Sequence, residues 1–220
     1  MLISLPFNDR VVAGKLLAEK LKAYVNRGNL RVLGLPRGGL PVAYEIARHL
    51  NAPLDALLVR KLGVPGQREL AFGAIAAGGV RVLDDDVIGA AGLSAEEIER
   101  IISEESRELE TSNQRYREGR PALNLRGCAA MVVDDGAATG STMKAAIEAL
   151  RLQGACRVVA AAPVASAPAA EMLREQADDF VCLAEPEPFY AVGFWYRDFS
   201  QVSDEEVRRL LAGRAEEPAA

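Results

Sequence analysis

Ala130–Leu150, AMVVDDGAATGSTMKAAIEAL, is the stretch whose reading decides the fold. It sits at the end of an apolar run, Ala129-Ala130-Met131-Val132-Val133, which is short and ends in β-branched residues. Such a run reads as a strand buried on both faces of a parallel sheet. Asp134 and Asp135 follow at once, then the small residues and hydroxyls Gly136, Ala137, Ala138, Thr139, Gly140, Ser141 and Thr142. Met143, Ala146, Ile147 and Leu150 then recur at helical spacing, and Gly154 stands where a helix stops. The order strand, loop, helix suits anion capture. A helix N-terminus leaves backbone N–H groups free and carries partial positive charge. Small residues let a phosphate approach that backbone, and hydroxyls add donors. The paired carboxylates would repel a phosphate but can accept hydrogen bonds from sugar hydroxyls. Together they describe a site for a ribose 5-phosphate. No lysine follows Gly140, so the loop is not a P-loop.

The run VVDDGAATGST resembles the phosphoribosyl-pyrophosphate (PRPP) motif of the type I phosphoribosyltransferases. In that family apolar residues precede two acids, and a short loop ends in Thr-Gly-Ser/Thr-Thr. The resemblance implies that Asp134 and Asp135 bind the ribose hydroxyls and that Ala137 to Thr142 cradle the 5-phosphate. It also implies an α/β fold: an open parallel sheet of about five strands with helices on both faces, a flap hairpin and a small C-terminal hood. The reaction it implies is transfer of the 5-phosphoribosyl group of PRPP to a nucleobase or other nitrogen acceptor, with release of pyrophosphate. Mg²⁺ is the implied cofactor, held mainly by PRPP, with Asp134 and Asp135 as the candidate protein contacts.

Working outward, residues 8–27 carry Val12, Leu16, Leu17, Leu21, Tyr24 and Val25, which predicts an amphipathic helix ending near Gly28. Leu30 to Leu35 and Leu54 to Val59 read as strands joined by a helix from Pro41 to Leu50. Pro36-Arg37-Gly38-Gly39, after the first strand, resembles the family's pyrophosphate loop, where a non-proline cis peptide often precedes the cation. Arg60 and Lys61 are expected at the carboxyl end of the second strand, where open parallel sheets bind ligands, and are assigned to the leaving group. The following residues, to Glu69, read as a basic loop. Ala71 to Ala77 and Val80 to Leu83 flank Gly78-Gly79 as a hairpin within a flap region at 62–93. Asp84-Asp85-Asp86 reads as loop or cap chemistry rather than a second metal site. Ser94 and Glu97 make a capping box for a charged helix to about Arg117, whose Glu104, Glu105 and Glu108 form a solvated face. Pro121 to Gly127 then links into the central strand.

Beyond the central helix, strands are expected at Cys156 to Ala162 and Asp179 to Leu183. Pro163-Val164-Ala165 forms a loop, and a helix capped by Ser166 runs from Ala169 to Gln176. Glu185 to Ser200, EPEPFYAVGFWYRDFS, gathers aromatic residues in a chain with few. Its Tyr190-Ala191-Val192-Gly193-Phe194 resembles the hood of the 6-oxopurine enzymes. The resemblance therefore implies a base hood of Tyr190, Val192, Phe194 and Trp195, with Tyr190 at the position that lies on the ring. Asp198 lies one position away from a family magnesium contact. Ser203 and Glu206 cap the last helix. The chain reads as one domain over 1–212, with the hood at 185–212 and a disordered tail at 213–220.

The resemblance has departures. The 6-oxopurine enzymes place an acid where Ala138 stands, and the orotate enzymes use a lysine-rich flap where this interval holds only Lys61. The acceptor is therefore left open. A rival of another class is a regulator of the same fold that senses PRPP or nucleotides. The net charge of −5 disfavours a nucleic-acid surface. No apolar run reaches membrane-spanning length, and MLISLPFNDR lacks the features of a signal peptide. Cys128, Cys156 and Cys182, with His49 the only histidine and no CxxC, suggest buried free thiols in a reducing cytoplasm rather than a metal site. The expected partners are PRPP, an unidentified acceptor and, as a candidate assembly, a second copy of the chain.

Overall fold

The computed structural model describes residues 4–117, 122 and 124–213, without the side chains of residues 68 and 69. Helix α1 (Arg10–Lys20) opens on Asp9, whose carboxylate accepts from the Val12 amide. It is shorter than the apolar spacing suggested: the chain tightens into a 3₁₀ turn at Lys22–Tyr24 before strand β1 (Leu30–Gly34). Helix α2 (Gly39–Leu50) carries Pro41 in its first turn, and β2 (Leu54–Ala56) follows. β2 stops three residues earlier than expected. The chain leaves the parallel sheet at Leu57 and Leu58 and enters β3 (Val59–Val64), β4 (Gln67–Ala76) and β5 (Val80–Leu83), a separate three-stranded antiparallel sheet. The segment read as a basic loop is thus strand, apart from the turn at Pro65-Gly66. The hairpin at Gly78-Gly79 forms as expected, both glycines having positive φ. Leu62 and Phe72 of this sheet are fully buried in the main core, so the base of the flap is anchored.

Asp84 is the N-cap of α3 (Asp85–Ala91), so the triple aspartate is cap chemistry. The Ser94–Glu97 capping box forms with both reciprocal bonds and starts α4 (Ala95–Arg117). Arg117 ties the far end of α4 to β2 by donating to Asp55 Oδ2 at 2.6 Å and to the Ala56 carbonyl at 2.9 Å. The central strand is β6 (Ala129–Val133), followed by α5 (Ser141–Leu152), β7 (Arg157–Val164), α6 (Ala167–Gln176) and β8 (Asp179–Ala184). β7 runs on through Pro163 and Val164, which were expected to form a loop. Helix α7 (Asp204–Ala212) starts at Ser203, whose hydroxyl accepts from the Glu206 amide, and Gly213 closes it. Of the expected disordered tail, residues 214–220 lie outside the described residues. So do residues 121 and 123 of the expected linker.

The main sheet is parallel, five-stranded, in the order β2-β1-β6-β7-β8. Alternation along the strands divides its side chains between two cores. Val32, Met131, Val133, Val159 and Ala161 pack towards α1 and α2, while Leu33, Ala130, Val132, Val158 and Ala160 pack towards α5 and α6. The strand order reverses between β1 and β6. In such sheets the crevice at the carboxyl ends beside the reversal is the ligand site. The loops that open there are 35–38, after β1, and 134–140, after β6.

Candidate functional site

The 134–140 loop is held by β7. The amide of Ala137 donates to the Val164 carbonyl at 2.9 Å, and the amide of Ser166 donates to the Ala137 carbonyl at 2.9 Å. Gly140, with φ 71°, turns the chain into α5, and a Cβ there would lie 2.5 Å from Met172 Cε. The first turn of a helix leaves its amides without intrahelical acceptors. Ser141, Thr142 and Met143 of that turn line a cavity of about 190 Å³ together with Asp134, Gly136, Ala137, Ala138, Thr139, Gly140 and Val192. The hydroxyls of Thr139 and Ser141 stand 3.1 Å apart at its rim. Among the described residues, the cavity is therefore a nest of amides and hydroxyls without a cation, with Asp134 as its one carboxylate.

The 35–38 loop packs against the acid pair. The amide of Leu35 donates to the Val133 carbonyl at 2.8 Å, and the Pro36–Arg37 peptide, whose isomer the sequence left open, is cis. A Cβ on Gly38 would fall 2.0 Å from Asp135 Oδ2, and one on Gly39 would fall 2.5 Å from the Val133 carbonyl oxygen. A side chain at either place would force the neighbouring atoms to shift. Arg37 and Arg60 meet in a second cleft, of about 240 Å³, with Leu109, Ser112, Tyr116 and Thr142 on its walls. Thr142 lines both clefts, so the two adjoin. Each arginine is held from behind by a carboxylate. Arg60 Nε donates to Glu105 Oε2 of α4 at 2.7 Å, and Arg37 Nη1 lies 3.6 Å from Asp204 Oδ1 of α7. Glu105 is thus an ion-pair partner and not part of a purely solvated face.

A family model for the phosphoribosyl transferase domain matches residues 10–194. The chain belongs to the phosphoribosyl transferase domain family. Two curated relatives from Mycobacterium tuberculosis strains, each named a "putative phosphoribosyl transferase", are 49% identical over 205 residues. That match takes in 93% of this chain but 46% of theirs, so the chain spans about half the length of those relatives. The crystal structure of TT1426 from Thermus thermophilus is 42% identical, with a TM-score of 0.88 over 96% of this chain and 100% of that one.

Within this phosphoribosyl transferase domain, Lys61 does not join Arg60. Adjacent strand residues point to opposite faces, and Lys61 lines another cleft, of about 640 Å³, with Asp84, Asp85, Asp86, Ser141 and Lys144. The hood also divides. Val192 lines the cavity of about 190 Å³ beside Asp134, and a Cβ on Gly136 would sit 2.5 Å from its Cγ1. Tyr190 and Phe194 pair with each other, ring centroids 5.7 Å apart, and are 71% and 69% exposed. Trp195 turns to the body and packs on Phe189, which itself lines an open groove of about 830 Å³ with Ala138, Thr139, Ser166, Glu187 and Pro188. Asp198 accepts from the Ser200 amide at 2.9 Å, which helps hold its carboxyl below the usual range.

Sequence reasoning missed Arg10. Its Nε donates to Asp135 Oδ2 at 2.8 Å across 125 residues of chain, a pairing that no local pattern announces. Tyr116, Glu105 and Asp204 escaped for the same reason. Burial raises the Asp134 carboxyl well above its ordinary value, and the charge of Asp135 adds to this. Burial raises Asp135 too, but the Arg10 guanidinium opposes it. Among the described residues no group of three or more His, Cys, Asp or Glu could hold a metal ion, and no helix is long and apolar enough to cross a membrane. The three cysteines are free, but Cys156 is exposed and the others half-buried, against the expectation of burial.

Proposed function

We propose that this chain transfers the 5-phosphoribosyl group of PRPP to a nucleobase or other nitrogen acceptor and releases pyrophosphate, in the cytoplasm. The observation that carries the reading is the meeting, at Thr142, of a neutral phosphate-sized nest beside Asp134 with a cleft holding Arg37 and Arg60. The nest fits a 5-phosphate, Asp134 accepts from the ribose hydroxyls, and the two guanidiniums face the pyrophosphate. The bond between C1 and the pyrophosphate oxygen breaks, its electron pair leaving with the pyrophosphate. The sugar passes through an oxocarbenium-like state related to that of glycoside cleavage. The acceptor nitrogen then bonds to C1 and loses its proton. The side chains do no covalent chemistry: they hold the sugar, match the charge gathering on the leaving group and keep water out.

The residues fit Mg²⁺ that arrives with PRPP rather than one caged by protein. Among the described residues Asp134 is the one carboxylate lining the cavity, and such ions are commonly bound through one or two carboxylates plus substrate phosphates. When bound, the ion supplies positive charge against the departing pyrophosphate. The test is pyrophosphate release from PRPP and Mg²⁺ against a panel of bases and small amines, with the phosphoribosyl adduct identified by mass. Binding of PRPP without release in any mixture would replace the enzyme with a sensor.

A further inference from the structure

We propose that Asp135 is a positioning residue: through Arg10 and Tyr196 it fastens the hood to the body of the domain, and Asp134 alone takes the ribose hydroxyls. The inference rests on the phosphoribosyl-transfer reading above and divides a labour that the resemblance assigns to both acids. The two neighbours diverge in space. Asp134 lines the sugar-sized cavity with Val192, and Asp135 is not among the residues that do. Instead Asp135 Oδ2 lies against Gly38 and receives Arg10 Nε at 2.8 Å, with both side chains almost buried at 13% and 11% exposure. A charge-assisted bond this sheltered is a lasting attachment rather than a surface ion pair.

Arg10 carries the attachment to the hood. Its guanidinium carbon is 3.9 Å from the centre of the Phe199 ring, and its Nη1 donates to the Ser200 carbonyl at 2.9 Å. A second arm leaves from the Asp135 backbone, whose carbonyl accepts from the Tyr196 hydroxyl at 2.6 Å. Tyr196 is buried between Phe7 and Phe199, with ring centroids 5.7 and 5.2 Å away. A short parallel pairing completes the clasp. The Phe7 amide donates to the Trp195 carbonyl, and the Arg197 and Asp198 amides donate to the Phe7 and Asn8 carbonyls, at 2.8 to 2.9 Å. This clasp sets where Val192 stands over Gly136, and so how well the sugar cavity is closed. It also eases an electrostatic problem. Two adjacent carboxylates repel, and the Arg10 guanidinium beside Asp135 offsets part of that repulsion.

The experiment compares Asp134→Asn, Asp135→Asn, Arg10→Ala and Phe199→Leu by residue-resolved hydrogen exchange and by calorimetry with ribose 5-phosphate. Asp135→Asn and Arg10→Ala should speed exchange of the Arg197 and Asp198 amides at least about tenfold while β6 and β7 keep their protection. Asp134→Asn should leave those amides unchanged. It should lose at least about tenfold in affinity for ribose 5-phosphate, whereas Asp135→Asn stays within about threefold. Phe199→Leu keeps every charge, removes the ring beneath Arg10 and should loosen the same amides, so the test survives if Arg10→Ala does not fold. Asp135→Asn losing affinity as steeply as Asp134→Asn would overturn the proposal, as would unchanged hood exchange or faster exchange throughout the domain. A parent protein that does not bind ribose 5-phosphate would refute the phosphoribosyl reading instead, and the exchange data would still decide the clasp.

Discussion

Replacing Gly39 by alanine tests how closely the loop after β1, proposed to meet the pyrophosphate, must sit on the end of the central strand. The new Cβ would lie 2.5 Å from the Val133 carbonyl oxygen and 3.0 Å from Asp134 Cα, where ordinary contact begins at 3.4 Å. At least 0.9 Å must therefore be found on the carbonyl side, and both neighbours are backbone, with no flexible side chain to swing away. Gly39 is the first residue of α2, so alanine there gains up to about 1 kcal/mol in helix propensity. Overpacking of this kind costs about 1–3 kcal/mol. The net expectation is a loss of roughly 0–3 kcal/mol, or a fall in melting temperature of up to about 12 °C for a domain of this size. The functional effect should be larger. The displaced atoms are those joining Arg37 to Asp134, and a misplacement of about 1 Å can cost about 10²-fold in rate. Gly28→Ala is the control, since a Cβ there meets nothing within 4 Å. Calorimetric melting and pyrophosphate release should both separate the two variants. A Gly39→Ala protein that melts and turns over like Gly28→Ala would refute the claim that loop and strand are in obligatory contact.

Thr139→Val combined with Ser141→Ala removes two hydroxyls from the nest and should weaken ribose 5-phosphate and PRPP alike, by roughly tenfold in calorimetry. Arg60→Ala should weaken PRPP by about 10- to 100-fold and leave ribose 5-phosphate nearly untouched. Equal losses for both ligands would move Arg60 to the 5-phosphate, or to docking α4 through Glu105. Asp134→Asn should change the pH dependence of stability. Burial, then the charge of Asp135, raises the folded carboxyl above its unfolded value. As pH rises from about 4, the unfolded chain therefore releases this proton first, and the folded state loses stability until its own raised value is passed. The unliganded asparagine variant should accordingly match the parent in acid and melt above it at neutral pH, and parallel melting curves across that range would refute the assignment.

How much of this was legible in the sequence follows from how local each signal was. The β6 strand, its acids and the start of α5 were readable because each residue type there does a job its neighbours define: β-branched burial, a left-handed glycine, amides freed at a helix start. The break between β2 and β3 was not readable, because Leu54 to Val59 is one apolar run and periodicity cannot say where it changes sheets. That error carried Arg60 and Lys61 to one site. Strand alternation in β3 instead put Arg60 in the cleft with Arg37 and Lys61 in a separate cleft that meets the nest at Ser141. The hood was found but its facing was not. Val192–Trp195 is a 3₁₀ turn, in which positions three apart eclipse. Val192 and Trp195 accordingly turn inward together, and Phe194 is left outside beside Tyr190.

The distribution of charge over the two clefts has a catalytic logic on the proposed reading. Among the described residues, the nest proposed for the 5-phosphate is lined by amides, hydroxyls and the Asp134 carboxylate, with no cation. The arginines gather instead in the adjoining cleft, with Glu105 and Asp204 holding them from behind. A 5-phosphate carries the same charge before and during bond breaking, so tighter binding of it stabilises substrate and transition state equally and does not lower the barrier between them. Pyrophosphate is different, because it gains charge as the C1–O bond lengthens. A guanidinium facing it is attracted more strongly in the transition state than in the ground state. Arg60 bonds to Glu105 through Nε, which fixes the plane of the guanidinium while its two terminal nitrogens remain the fork suited to paired phosphate oxygens. Neutral donors where charge is constant, and oriented cations where charge develops, spend the binding interactions at the one place where they accelerate the reaction.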